Sequence, residues 1–167
     1  MNSVFAMRQL IQSWKIGDRP LILNKEELKL FIPHRERALK IDAVRFDPSN
    51  KEQIKGFKMV LADDPDLYGH FPDKPMYPGV SIAECANLTA AMLVMLADEN
   101  MGGYPTVLDF YCQCKRPLLP GDTMEIALEL KDWEAKKRFY YFEYVARKKV
   151  GEIMKVVAEG NIKGTAT

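Results

Sequence analysis

The sequence predicts an α+β domain in which one antiparallel sheet curls around a single buried helix. Residues 80–98 carry apolar side chains on nearly every side, among them Ile82, Cys85, Leu88, Met92, Leu93 and Leu96, and a helix apolar all round is one wrapped by the rest of its protein. Four strand-like runs follow it, at 106–115, 123–133, 138–148 and 152–162. Two more precede it, at 38–46 and 54–62.

Taken in chain order, Val4, Met7, Leu10, Ile11 and Trp14 recur at spacings of three and four, which predicts a short amphipathic helix. Residues 1–22 therefore read as a helical extension and 23–167 as one domain. Asn24 with Glu27 three residues on has the form of a capping box, so a second helix bearing Leu28, Leu30 and Phe31 starts there and stops at Pro33. Asp47-Pro48-Ser49-Asn50 turns the first two strand runs into a hairpin. Later breaks fall at 117–122, at the charged 134–137 and at Val150-Gly151. Within 123–133, Met124, Ile126, Leu128 and Leu130 alternate with Glu125, Glu129 and Lys131, one face for core and one for solvent, although Ala127 blurs the pattern.

A chain of 167 residues, 47% hydrophobic and 28% charged, is large enough to bury a core without staples. Its formal net charge of +1 gives no general reason to expect nucleic acid or a membrane surface as partner. The uncharged apolar run at 85–97 is shorter than the ~20 residues that span a bilayer, and the first 15 residues lack a signal-peptide core, so the expected location is the cytoplasm. Three cysteines is an odd number, and Cys112 and Cys114 lie two apart on one strand face rather than in bridging geometry, as suits a reducing compartment. With two histidines and no spacing that pairs ligands around Cys85, Cys112 or Cys114, no metal is expected and the cysteines read as core residues. The aromatic residues of 139–144 read as alternating sheet positions rather than base-stacking platforms.

The stretch that carries chemistry is 68–80, which leads straight into the apolar helix. Pro72, Pro75 and Pro78 fix φ three times in this loop, so it holds the ring of His70 in one place. Gly79 at the helix start leaves room for a ligand, and the free N–H groups there suit a polarised carbonyl oxygen. Glu84 lies about one and a half turns further on and forms a narrow polar stripe with Ser81 and Asn87. Apolar surroundings disfavour a carboxylate, which is the condition a proton-donating acid needs.

Residues 69–84, Gly-His-Phe-Pro-Asp-Lys-Pro-Met-Tyr-Pro-Gly-Val-Ser-Ile-Ala-Glu, closely resemble the GHFPxxPxxPGVxxxE signature of the FabZ-type (3R)-hydroxyacyl-carrier-protein dehydratases. Ile32-Pro33-His34-Arg35 resembles that family's Leu-Pro-His-Arg opening, and residues 115–122 resemble its loop after the third strand, so the likeness runs from about residue 26 to 162. It implies the hot-dog fold and a homodimer with two sites at its interface, often assembled as a trimer of dimers. It also implies that His70 and Glu84 are the catalytic pair and that Gly79 donates to the thioester carbonyl, with Phe71 and Val80 beside the substrate. Glu at 84 is similar to FabZ-type enzymes, whereas the related dehydratase-isomerases carry Asp there. The chain departs from the pattern at 36–40 and where the family's Ala-Gln is Asn87-Leu88.

The expected reaction is removal of water from a 3-hydroxyacyl thioester on acyl carrier protein, without metal or redox cofactor. His70 is the expected base and Glu84 the acid, with the acyl chain between helix and sheet. Lys115, Arg116, Lys136, Lys137 and Arg138 are candidates to receive an acidic carrier protein. His34 reads as structural, a turn residue that anchors backbone. Two alternatives remain at this stage, a hot-dog acyl thioesterase using Glu84 to activate water and a non-catalytic carrier-binding subunit.

Overall fold

The computed structural model describes residues 20–97, 103–134 and 138–166. The strands are β1 (Leu21–Asn24), β2 (Ala43–Phe46), β3 (Gln53–Met59), β4 (Pro105–Cys114), β5 (Thr123–Glu134), β6 (Phe139–Val150) and β7 (Ile153–Ala166). They form one antiparallel sheet in the order β1-β2-β3-β5-β6-β7-β4. The helices are α1 (Lys25–Leu28) and α2 (Gly79–Ala97). The sheet wraps α2, which packs against β2 to β7, as the order of elements predicts, and this is the hot-dog arrangement that the family resemblance implies.

Ile82, Leu88, Met92 and Leu93 of α2 are almost wholly buried, and they meet Met124, Ile126 and Leu128 from the inward face of β5 in one core. Ala127 takes the outward side of that strand with Glu125 and Glu129, so the alternation is unbroken. Sheet and helix approach so closely at Gly56 that a Cβ there would lie 2.1 Å from Thr89 Oγ1. Only glycine fits that crossing. By length and composition α2 is able to cross a membrane, because it extends beyond the run at 85–97 to 19 residues. Its 18-residue apolar window is 83% buried inside the protein, however, so it is a core helix.

The amphipathic helix expected at 4–14 lies outside the described residues. Leu21 and Ile22, assigned to the extension, belong to β1, so the sheet starts no later than Leu21. The capping box is present in full: Asn24 Oδ1 accepts from the N–H of Glu26 and Glu27, and Glu27 Oε2 accepts from Asn24 N–H at 2.8 Å. The helix it starts is a single turn, continued by turn bonds to Ile32. The strand expected from residue 38 begins only at Ala43. Before it, Glu36–Ala38 form a 3-10 turn, and Leu39 and Ile41 enter the core from irregular backbone. Of the cysteines, Cys85 is buried as expected, but Cys112 is half-buried and Cys114 is exposed, because both lie on β4 at the open edge of the sheet.

Candidate functional site

His70 is held from both sides of its loop. Asp64 caps the 3-10 turn Pro65–Leu67, His70 N–H donates to Leu67 O, and Met76 N–H donates back to His70 O at 2.8 Å. The loop is also fastened to the next connection by Tyr77 N–H to Leu118 O at 2.7 Å. His70 Nδ1 lies 2.8 Å from Met76 O. A carbonyl only accepts, so Nδ1 carries the proton and Nε2 is the free lone pair of the neutral ring. Phe71 stacks on the imidazole at 4.4 Å between centroids.

Helix α2 opens with Ser81 and Ile82 N–H bonded to Pro78 O, which leaves the Gly79 and Val80 N–H groups without intrahelical acceptors. A Cβ on Gly79 would meet Cys114 Sγ at 2.9 Å, so glycine here also lets the helix start lie against β4. Glu84 is half-buried, and Asn87 Nδ2 donates to its Oε2 at 3.2 Å. Together they line a cavity of about 480 Å³ between α2 and β4, with His34, Leu88, Thr106 and Leu108 among its other walls. A deeper cavity of about 20 Å³ shares Asn87, Ala91 and Thr106 with it and ends against Tyr140 and Phe142.

Within one chain the predicted pair is not brought together in a single cavity: among the described residues, the cavity lined by Glu84 does not include His70. Phe71 and Val80 are 52% and 77% exposed, beside Tyr68 at 95%. The β4 edge adds Leu108, Phe110 and Tyr111, each about half exposed. Of the basic candidates, Lys115 is paired with Glu159 at 2.9 Å and Arg116 donates to Val156 O, whereas Lys136 and Lys137 lie outside the described residues.

Two of the thiols, those of Cys85 and Cys114, are held in the protonated form. Burial pushes Cys85 up to about 12, against the opposing influence of Tyr77 and Lys58, and burial together with Cys112 raises Cys114. Tyr77 is raised as well, mainly by burial, and faces Cys85 Sγ at 3.8 Å. Among the described residues no group of three or more His, Cys, Asp or Glu side chains is arranged to hold a metal ion. Sequence reasoning missed one residue at this site. His34 was expected to anchor backbone, but Arg35 does so, donating to the carbonyls of Lys29, Ile32 and His34, and His34 lines the Glu84 cavity instead.

A hot-dog sheet with a proline-stiffened histidine loop at the start of its core helix and a carboxyl in the adjoining cleft defines a protein of the acyl-thioester class. The chain belongs to the ApeI-like family, described as ApeI dehydratase, which it matches over residues 47–157. A 3-hydroxyacyl-[acyl-carrier-protein] dehydratase FabZ of Actinobacillus succinogenes is 35% identical over 114 residues, 66% of this chain and 75% of that protein. The FabZ of Alkaliphilus metalliredigens is 36% identical over 110 residues, covering 65% and 74%. Among solved structures, a thioesterase of Haemophilus influenzae superposes with a TM-score of 0.56 at 11% identity, over 74% of this chain and 78% of that one. That likeness is one of fold.

Proposed function

We propose that this chain dehydrates (3R)-hydroxyacyl thioesters on acyl carrier protein to trans-2-enoyl thioesters, in acyl-chain biosynthesis, at sites formed between two copies. The observation that carries the reading is the bond from His70 Nδ1 to Met76 O, which aims one free nitrogen, Nε2, out of a stiff loop. A base there removes a proton from carbon 2, while Glu84 protonates the hydroxyl on carbon 3. The electron pair from the broken C–H bond becomes the C2–C3 double bond, the C3–O bond breaks, and water leaves. The exchange is redox-neutral, and a proton passed from His70 to Glu84 through solvent resets the pair.

The thioester oxygen gains negative charge as the proton leaves carbon 2, and the free N–H groups at Gly79 and Val80 are the donors for it. Glu84 is five residues along, roughly 7 Å at the standard rise, and helical side chains lean toward the helix start. That geometry matches a carbonyl at one end of a three-carbon unit and a hydroxyl at the other. The rest of the acyl chain follows the cleft between α2 and β4 that Leu88, Ala91 and Val107 line.

The dimer half of the proposal is supported by the exposed collar of Tyr68, Phe71, Val80 and the β4 edge. Large apolar patches of this kind mark interaction surfaces. A second copy laid on it brings its own His70 loop to the Glu84 cleft. The carrier protein is recognised by basic residues at the Gly79 end of β4, where Lys115 and Arg116 follow Cys114. Incubation with a trans-2-enoyl-carrier substrate tests the function: hydration to the 3-hydroxyacyl product supports it, release of free thiol would make this a thioesterase, and binding without turnover a carrier-binding subunit.

A further inference from the structure

His34 and Asn87 both line the Glu84 cavity, and each carries a buried polar atom with no partner among the described residues, Nδ1 and Oδ1. Buried polar atoms are nearly always paired, so two in the wall of one cavity point to a ligand that satisfies both. Asn87 already uses Nδ2 on Glu84 Oε2, which steadies one carboxyl oxygen and leaves Oε1 to carry a proton. The remaining valences are a pure acceptor, Asn87 Oδ1, and a ring nitrogen that donates when protonated, His34 Nδ1.

An alcohol oxygen has one proton to donate and two lone pairs. Beside a protonated Glu84, one lone pair takes the acid's hydrogen, leaving one hydrogen that needs an acceptor and one lone pair that needs a donor. The two orphan atoms supply that complement.

We propose that His34 and Asn87 bind the oxygen on carbon 3 of the acyl chain, as hydroxyl in the substrate and as water in the product, while Asn87 also positions the Glu84 carboxyl. The inference rests on the dehydratase reading of the site. It gives Asn87 a use for both ends of its amide beside Glu84, and it gives His34 a place in the site that its loop does not require, since Arg35 ties that loop down.

The test separates binding of the hydroxyl from turnover. In a His70→Ala background, which cannot remove the carbon-2 proton, affinities for 3-hydroxybutyryl-pantetheine and butyryl-pantetheine are measured by calorimetry. One or two hydrogen bonds to the hydroxyl predict roughly five- to tenfold tighter binding of the hydroxylated probe. Adding His34→Leu should lower the ratio several-fold without weakening butyryl-pantetheine, and His34→Asn, which returns an amide near the Nδ1 position, should restore most of it. Asn87→Ala trims a helix side chain without touching the His34 turn and should lower the ratio too, so a folding failure of His34→Leu leaves a second measurement. Equal binding of the two probes in the background, or a preference that survives both substitutions, would overturn the inference. Turnover by the unsubstituted protein with no hydroxyl preference sinks this inference alone, whereas hydroxyl preference without turnover sinks the dehydration reading alone.

Discussion

With Glu84 as the proposed acid, the reaction needs its proton and not its charge, which makes it the position most sensitive to substitution. Glu84→Gln keeps the shape and the contact with Asn87 but has no acidic proton, so the protein should fold normally and lose about 10²- to 10⁴-fold in turnover. Steady-state rates beside a melting curve check this, and near-normal turnover would remove Glu84 as the acid. Gly79 is constrained differently. Gly79→Ala sets a methyl group 2.9 Å from Cys114 Sγ and should cost about 1–3 kcal/mol, part of which Cys114→Ala recovers. Equal stability of Gly79→Ala and the double variant would mean that the contact carries no strain. The catalytic candidates were legible in the sequence because the proline spacing, the glycine at a helix start and a lone acid in an apolar helix are all local patterns. His34 was not, since its neighbour in the site lies 50 positions away and Pro-His-Arg looks like an ordinary turn. Which of two adjacent residues ties down the loop, His34 or Arg35, depends on rotamers that no sequence spacing encodes.

At the scale of elements, the histidine loop is held by two ion pairs beneath it. Lys58 and Asp64 meet at 2.6 Å with side chains 8% and 6% exposed, and Lys40 meets Asp66 at 2.5 Å. Lys58→Met leaves a buried carboxylate uncompensated and should cost about 3–5 kcal/mol, read as a lower denaturation midpoint. A midpoint within error of the parent would show the pair to be dispensable. Burial works to raise Asp66, but hydrogen bonds from Lys40, Ser81 and Tyr77 outweigh it and hold the carboxyl below its ordinary value of 3.8. The stability this contributes is therefore fully present above 3.8 and disappears as pH falls through the lower folded value. Asp66→Asn should melt earlier at neutral pH, with the gap narrowing below about pH 4. A gap that stays constant into acid would refute the ionic account. The long elements were readable because period-two alternation persists over many residues in β5 and β6 and an all-round apolar pattern does so in α2. The short ones were not: β1 has four residues, too few for a period, and Leu39 and Ile41 are buried for packing while their backbone stays irregular.

For the whole molecule, the proposed pairing of His70 with Glu84 runs between two copies of the chain. The two belong to different walls of one chain, the Glu84 cavity does not include His70 among the described residues, and the apolar collar around both is exposed. A two-fold that places one copy's loop over the other's cleft creates two equal sites, each with a histidine from one chain and a glutamate from the other. In a dimer of a His70→Ala chain with a Glu84→Gln chain, one site then holds both residues intact and the other holds neither. Each parent homodimer is inactive, and the hybrid has half of its sites. Random re-association of equal amounts makes about half of the dimers hybrid, so the mixture should recover about a quarter of the parental activity if sites act independently. Subunit exchange is verified separately, by mass or by a tag on one chain. If exchange is complete and activity stays at the level of the inactive parents, the cross-chain site is wrong, because His70 and Glu84 pairing within one subunit gives a hybrid in which every site lacks one of them.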